Sequence, residues 1–487
     1  MASVVNAPLK HGFRSKRSTE TQLLSASFDF ITSLKSGKQT DVIIMDFAKA
    51  FDHVPHERLL HKLSFYGING KPLQWIRQFL TNRTQRVVLD GEASDFIPVR
   101  SGVPQGTVLG PVLFLLFSND LPESINPITP SSLTTSAKPI KNKTCVRLFA
   151  DDCVVYRVIT SNSDCVQLQQ DLDRLTDWEA KWQMSFHPDK CKVLRINRKK
   201  EPRIFNYNLR GHNLEACNHE KYLGVTLSSD ATWDKHINNI TNKASNTLSF
   251  IRRNIKSAPQ DIKSTAYTTL VRPQLEYAST VWDPYQDNHI NKIEKIQNQA
   301  ARFVLHDYDW SHSVTNMKAQ LGWQPLQHRR IASRLVMLYK ITHAIVAIPS
   351  TPYLAIATGP VRRNHSFVYT QKHSKANYQL YSYLPRTIVQ WNRLPAFVVE
   401  VPPIDTLGQP SPEAFKNRLQ TVDLLVNSIH MFFTYAPMYI TYIYLFIHRP
   451  QSTTLTLVRD THLCALHSTT RSRTTKIAGS MPNCTTV

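Results

Sequence analysis

The sequence predicts an α+β fold, in which an antiparallel sheet with packed helices is followed by a helical region. Residues 41–45 form a short apolar run, which is typical of a buried strand. Over residues 146–158, two apolar arms flank a pair of aspartates, which is the pattern of a β-hairpin. From residue 232 onward the apolar residues recur every three or four positions, as they do on one face of a helix.

Length and composition limit the class of protein. The chain has 487 residues, which suggests about three domains, and 41% are hydrophobic, which excludes a wholly disordered chain. Lys and Arg number 58 against 36 Asp and Glu, a net charge of +22. This excess favours a polyanionic partner, most often nucleic acid, over a protein that is merely basic. The 7 cysteines include no C-x-x-C pair, which fits a reduced compartment and argues against a disulfide scaffold.

Two segments bear on targeting. Residues 1–19 lack the apolar core of a secretory signal. Residues 424–447 contain no Lys, Arg, Asp or Glu and are long enough to span a bilayer. His430 and Pro437 interrupt this stretch, so a buried or poorly ordered tail is favoured over a membrane span. Residues 448–487 are rich in Thr, Ser and Arg and are predicted to be disordered.

The other elements follow from local signals. A helix capped by Ser18 or Thr19 should precede the strand at 41–45, and a second helix should follow with Pro55 in its first turn. The remaining expectations are strands at 85–91 and 95–102, a buried helix at 108–117, an exposed loop at 122–145, a helix at 164–186, and strands at 191–196 and 222–227.

Three carboxylates are the first candidates for chemistry. Asp46 ends an apolar strand, and Asp151 and Asp152 lie at the tip of the hairpin. Carboxylates that converge repel one another unless divalent cations bind them. Two Mg²⁺ ions about 4 Å apart could activate a 3′-hydroxyl and stabilise a leaving pyrophosphate. An isolated Asp-Asp pair is more often an ordinary polar turn, so the neighbouring motifs decide between these interpretations.

A glycine-containing segment at 101–114 lies between the two acidic sites. Gly102 and Gly106 permit a close approach of backbone, and Gln105 offers both donors and an acceptor to a nucleotide. On its own, this segment could equally be a glycine turn before a buried helix.

Together the motifs resemble a known family. In chain order they are DFAKAFDHVPH, SGVPQGTVLGPVLF, FADD, HPDKCKVLRI and KYLGVTL, beginning at residues 46, 101, 149, 187 and 221. This is the order of the reverse-transcriptase palm motifs. The chain resembles the polymerase of non-LTR (LINE-type) retrotransposons, most like the jockey-like group. The segment HGFRSKRST at 11–19 is similar to the family's preceding motif, and the resemblance extends to about residue 420.

The resemblance implies a right-hand polymerase palm followed by a helical thumb. The implied domains are a remnant of the fingers at 1–40, the palm at 41–228, the thumb at 229–310, a C-terminal helical region at 311–424, and an apolar and then disordered tail at 425–487. Because few residues precede the first motif, we expect an N-terminally truncated polymerase. Another chain could supply the missing fingers and endonuclease.

The resemblance also implies catalytic roles. Asp46, Asp151 and Asp152 match the catalytic aspartates, which would bind two Mg²⁺ ions, with Mn²⁺ as an alternative. Lys190 matches a lysine suspected of protonating the leaving pyrophosphate, although a solvated surface lysine is an equal alternative. Asp52 could be catalytic by type, but helix capping ahead of Pro55 is the favoured interpretation.

Other matches concern substrate contacts. The implied groups are Phe51, Gln105 and Gly106 at the incoming nucleotide, Tyr222, Leu223 and Gly224 in the primer grip, and Arg252, Arg253 and Lys256 on nucleic acid. Phe51 would be a steric gate against a ribose 2′-hydroxyl, with a core aromatic as the alternative. The arginine pair could equally lie on a solvated face. Core packing is favoured over base stacking for the tryptophans Trp282, Trp310 and Trp323.

The implied function is RNA-directed DNA polymerisation by two-metal nucleotidyl transfer. The expected partners are an RNA template, a DNA primer or target and dNTPs, in a nuclear and cytoplasmic ribonucleoprotein, and no membrane partner is expected. Two alternatives remain open: a non-catalytic relic that only binds RNA or DNA, and a splicing cofactor of the maturase type.

Overall fold

The computed structural model of the chain describes residues 11–125 and 143–422, except for 352, 359–364, 372–373, 375 and 401–410. The tail beyond residue 422, including the apolar stretch at 424–447, lies outside these residues, as does most of the loop expected at 122–145. Within the described residues, no helix is long and apolar enough to cross a membrane.

The elements are numbered along the chain. The strands are β1 (Gln39–Met45), β2 (Thr84–Gln85), β3 (Val88–Leu89), β4 (Glu92–Ala93), β5 (Ile97–Pro98), β6 (Cys145–Phe149), β7 (Asp152–Ile159), β8 (Lys192–Ile196), β9 (Asn208–Leu209), β10 (His212–Asn213), β11 (Glu215–Cys217), β12 (His219–Tyr222) and β13 (Val225–Ser228). The helices of the first half are α1 (Thr19–Lys35), α2 (His56–Phe65), α3 (Gly70–Leu80), α4 (Leu109–Phe117), α5 (Leu121–Ile125) and α6 (Asn162–Trp182). The later helices are α7 (Asp234–Asn254), α8 (Gln260–Ala266), α9 (Arg272–Glu276), α10 (Ser279–Trp282), α11 (Asp287–Leu305), α12 (Val314–Gln320), α13 (Leu326–Thr342), α14 (Asn377–Leu380), α15 (Tyr383–Trp391), α16 (Ala396–Val399) and α17 (Pro412–Leu419).

A five-stranded sheet in the order β11-β8-β1-β7-β6 forms the centre of the first half. The neighbours are antiparallel except for β11, which runs parallel to β8. Strand β1 is buried along almost its whole length because the sheet is covered on both faces, and its residues 42–45 are apolar. Val42 packs into a core with α1 and the later helices, whereas Ile43 packs into a second core with α2, α4 and α6. The first of these cores is continuous from α1 through α7, α11 and α13 to α15.

This architecture confirms the predicted α+β fold, with a sheet-based palm followed by a helical thumb. The domain boundaries inferred from the resemblance remain predictions. The sheet differs from the expectation in its parallel edge strand β11.

Some local expectations were wrong in extent. Part of the loop expected at 122–145 is helix α5, and its last residue begins β6. The helix expected to reach residue 186 ends at Trp182, because Gln183 adopts a left-handed conformation with φ +56°. The strands expected at 85–91 and 95–102 are two-residue pieces whose side chains are exposed. The strand expected at 222–227 is divided by a turn between β12 and β13.

Candidate active site

The end of the central sheet brings the three predicted aspartates together. Met45 of β1 pairs with Cys153 of β7 in antiparallel register. The next residues along the two strands, Asp46 and Asp152, are therefore neighbours across the strand ends, where side chains share a face. Asp151 lies in the two-residue turn between β6 and β7, because Phe149 pairs with Asp152. Sheet register thus fixes the convergence that the sequence predicted.

The electrostatics of these aspartates reflect their mutual proximity. Desolvation, followed by the charges of Asp151 and Asp46, raises the pKa of Asp152 to about 6, and Lys221 acts in the opposite direction. Desolvation and the charge of Asp46 also raise the pKa of Asp151. The site therefore concentrates negative charge that a bound cation would neutralise. Sequence reasoning did not single out Lys221, which lies in β12 just before the β12–β13 turn and whose positive charge acts on Asp152.

The backbone of the catalytic hairpin packs against the N-terminal motif. The His11 N–H donates to the Leu148 carbonyl at 2.8 Å. A Cβ atom at Gly12 would lie 2.3 Å from the Ala150 nitrogen, so only glycine fits there. Ala150 itself adopts a left-handed conformation with φ +54°. Residues 11–12 therefore support the turn that carries Asp151, a contact between distant segments that local sequence patterns do not reveal.

Lys190 lies at the same end of the sheet. Its Nζ is 3.1 Å from Asp46 Oδ2, and its side chain is 61% exposed. An ion pair this exposed contributes little to stability, roughly 0–1 kcal/mol. The backbone of Asp46 is held by the His187 N–H, which donates to its carbonyl at 2.8 Å. The structure thus brings Lys190 to the predicted site, and both the protonating role and the surface-lysine alternative remain open.

The segment after β1 is held by the glycine-containing loop. Gln105 Nε2 donates to Asp52 Oδ1 at 3.0 Å. Helix α2 begins after Pro55 without a side-chain cap, so the interpretation of Asp52 as a helix cap was wrong. A Cβ at Gly102, whose φ is +89°, would lie 2.7 Å from the Asp52 carbonyl oxygen. The close backbone approach expected at Gly102 is therefore a contact with the backbone of Asp52.

The two remaining nucleotide-site candidates have different surroundings. Phe51 is half-buried and stacks on Phe114, with ring centroids 4.8 Å apart. It touches the core and keeps part of its ring exposed, so both of its predicted interpretations remain open. Gly106 has φ +75° and faces open space, since no atom lies within 4 Å of the position that a Cβ atom would take. The positive φ alone therefore accounts for a glycine at this position.

The predicted primer-grip residues form the turn between β12 and β13. Tyr222 is buried, and its hydroxyl accepts a hydrogen bond from Gln22 Nε2 of α1. Leu223 and Gly224 are the two turn residues, and both have positive φ, +46° and +82°. The Tyr277 hydroxyl donates to the Leu223 carbonyl at 3.0 Å. Sequence reasoning missed Tyr277, which lies 54 residues away along the chain.

The basic residues predicted for the thumb are exposed at the end of α7. Arg252, Arg253 and Lys256 all face solvent, as phosphate contacts and a solvated face both require. The expectation of core packing is confirmed for Trp282 and Trp323, which are buried. It was wrong for Trp310, which is 87% exposed with the Arg302 guanidinium over its ring at 4.9 Å.

The chemistry of the aspartate site fits a hard divalent cation. Its donors are carboxylate oxygens, the ligand type that Mg²⁺ and Mn²⁺ prefer. Across 11–125 and the described part of 143–422, no group of three or more His, Cys, Asp or Glu side chains is gathered closely enough to form a complete metal cage. Mg²⁺ needs only one or two carboxylates when substrate phosphates complete its shell. The donor set is therefore compatible with a cation shared between protein and nucleotide.

The fold is that of a polymerase palm followed by a helical thumb. Residues 3–227 match the family described as reverse transcriptase (RNA-dependent DNA polymerase). The chain is 28% identical over 301 residues to the RNA-directed DNA polymerase from mobile element jockey of Drosophila funebris, covering 60% of this chain and 31% of the relative. It is 26% identical over 305 residues to a probable RNA-directed DNA polymerase from transposon X-element of Drosophila melanogaster, with the same coverage of each chain.

These matches confirm the resemblance to the reverse transcriptases of jockey-like non-LTR retrotransposons. The chain spans about a third of the length of these curated relatives. Among solved structures, apo telomerase from Candida tropicalis matches 70% of this chain and 52% of its own at 11% identity and a TM-score of 0.36, too weak a likeness to support an argument.

Proposed function

We propose that this chain is an RNA-directed DNA polymerase that transfers nucleotides from dNTPs to a primer 3′-hydroxyl. The observation that carries the proposal is the convergence of Asp46, Asp151 and Asp152 at the ends of β1 and β7. A carboxylate cluster on a rigid sheet is suited to hold divalent cations in a fixed geometry. The reverse transcriptase family in general uses divalent metal ions, and we propose two Mg²⁺ ions here, with Mn²⁺ as a substitute.

Different residues of the chain would bind the cations, contact the nucleotide and donate a proton. Asp46, Asp151 and Asp152 would hold the cations, which would lower the pKa of the attacking hydroxyl and stabilise charge on the leaving pyrophosphate. Gln105, oriented by its hydrogen bond to Asp52, would contact the incoming nucleotide. Lys190 beside Asp46 would donate a proton to pyrophosphate.

Template and primer would lie against the thumb. We propose an RNA template and a DNA primer or target, with Arg252, Arg253 and Lys256 contacting phosphates. The net charge of +22 supports an association that weakens as salt concentration rises. We further propose that the protein acts in a ribonucleoprotein of the nucleus and cytoplasm.

The test is primer extension on an RNA template with Mg²⁺ and dNTPs, beside a measurement of RNA–DNA duplex binding over a range of salt concentrations. Template-dependent extension is the expected result. Salt-sensitive duplex binding without extension would instead favour the non-catalytic binding protein. A preference for structured intron RNA over a simple duplex would favour the maturase-type cofactor.

Replacing Phe51 with valine should relax the choice of sugar. A smaller side chain would leave room for a ribose 2′-hydroxyl, so the ratio of ribonucleotide to deoxynucleotide kcat/KM should rise about 10-fold or more, the size of effect expected when a pocket loses a steric contact. Single-nucleotide incorporation assays measure this ratio. Phe397→Val is a suitable control because Phe397 is an exposed phenylalanine of α16. An unchanged ratio accompanied by lower stability would show that Phe51 acts as a core aromatic.

A further inference from the structure

The turn between β12 and β13 has a conformation that its sequence does not favour. Leu223 and Gly224 both have positive φ, the pattern of a two-residue type I′ hairpin turn. Glycine adopts this conformation readily, but a leucine with positive φ is an outlier that the surrounding structure must stabilise. The Leu223 side chain is buried, which supplies part of this stabilisation.

Tyr277 supplies a second contact, which is directed at the turn backbone. Its hydroxyl donates to the Leu223 carbonyl at 3.0 Å and lies 3.1 Å from the Thr19 hydroxyl at the start of α1. Its ring covers Gly224 so closely that a Cβ there would lie 2.8 Å from Tyr277 Cε1. One side chain from the helical region therefore contacts both turn residues and α1.

The backbone of Tyr277 is itself fixed by hydrogen bonds within the helical region. Its N–H donates to the Pro273 carbonyl at 3.0 Å, and its carbonyl accepts from the indole of the fully buried Trp282 at 2.8 Å. Nearby, Thr280 Oγ1 donates to Glu20 Oε1 of α1 at 2.6 Å. These hydrogen bonds fix the backbone of Tyr277 independently of the turn. Its hydroxyl can therefore restrain the position of the turn.

We propose that Tyr277 is a positioning residue, which fixes the Leu223–Gly224 turn and through it the 3′ end of the primer. This inference rests on the proposed polymerase function, because the primer becomes the ligand of the turn only if the chain binds a primed template. Two further observations connect the turn to the chemistry. Tyr222 lies directly before it, and both Tyr222 and Leu223 belong to the same apolar core as Val154 of β7, the strand that begins at Asp152. A displaced turn would therefore move the primer end relative to the aspartates.

The test compares Tyr277→Phe with Tyr308→Phe in the full chain. The first variant removes the hydroxyl and keeps the ring over Gly224. Tyr308 is a matched control, because both tyrosines are 45% exposed. The measurements are kcat and dNTP KM for extension, the Kd for an RNA–DNA primer-template, the melting temperature, and the fluorescence of 2-aminopurine placed at the primer 3′ end.

For Tyr277→Phe we expect kcat to fall about three- to tenfold, the loss typical of one hydrogen bond, with dNTP KM and melting temperature close to those of the control. The fluorescence change of the terminal 2-aminopurine on binding should shrink, because the primer end is held less firmly. Equal kcat and equal fluorescence in the two variants would overturn the proposal. A lower melting temperature with a proportionate loss of duplex binding would also overturn it, since the hydroxyl would then be merely structural.

The fluorescence experiment separates this proposal from the proposed function. If the wild-type chain binds the primer-template but does not extend it, the polymerase proposal fails, and the 2-aminopurine comparison still decides whether Tyr277 positions the primer end. If the wild-type chain binds no primer-template, both proposals fail.

Discussion

Asp151→Asn should reduce primer extension by at least about 10³-fold and leave duplex binding unchanged. Asparagine has the shape of aspartate, so the turn between β6 and β7 can keep its conformation. The change removes the negative charge that would hold a cation beside the primer hydroxyl, and interactions of this kind account for several kcal/mol of transition-state stabilisation. Duplex binding depends on phosphate contacts, which the substitution does not touch.

Asp173→Asn is the matched control, because it removes the same charge from an exposed residue of α6. Extension rates in single-turnover conditions and duplex Kd values should be measured for both variants. If Asp151→Asn retains extension within a few-fold of the control, the aspartate cluster is not the catalytic centre.

The elements that can be predicted from sequence here are those whose signal is local. Within the run predicted at 41–45, residues 42–45 are apolar because β1 is covered on both faces, and such a run is visible without knowledge of its partners. The same holds for the hairpin around Asp151 and Asp152 and for the helical period of α7 and α11. Convergence of the aspartates followed from motif order, and strand register accounts for it physically.

The contacts that sequence reasoning missed join residues far apart in the chain. Gly12 meets Ala150, and Tyr277 meets Leu223 and Thr19, the last pair 258 positions apart. No periodicity or turn signal encodes such pairs, because they arise only when separate elements pack together. Asp52 illustrates the same point at shorter range. Its residue type and its place before Pro55 suggested a cap, whereas its actual partner is Gln105 in the next motif.

Gly102→Ala should impair nucleotide use far more than its backbone strain alone explains. The loop around Gly102 is fixed to the segment after β1 by backbone bonds: the Gly102 N–H donates to the Val54 carbonyl at 2.8 Å and the Val103 N–H to the Phe51 carbonyl at 2.7 Å. An alanine Cβ would lie 2.7–2.9 Å from three backbone atoms of Asp52, none of which can move without displacing this segment. We expect the loop around Gly102 to separate from the segment after β1. This separation would move Phe51 relative to Gln105, and these are the two residues proposed to contact the nucleotide.

We therefore expect kcat/KM for dNTPs to fall about 10-fold or more, mainly through KM, with duplex Kd little changed. Gly91→Ala provides a close control. Gly91 has φ +91° against +89° at Gly102, but no atom lies within 4 Å of the position that a Cβ atom would take at Gly91. Both variants place alanine in a left-handed conformation, which costs roughly 1–2 kcal/mol, so a similar part of any stability loss should appear in each. The difference between them isolates the contact with Asp52. Equal nucleotide kinetics in the two variants would mean that the loop can move away from Asp52 without consequence, and the proposed nucleotide site between these segments would have to be abandoned.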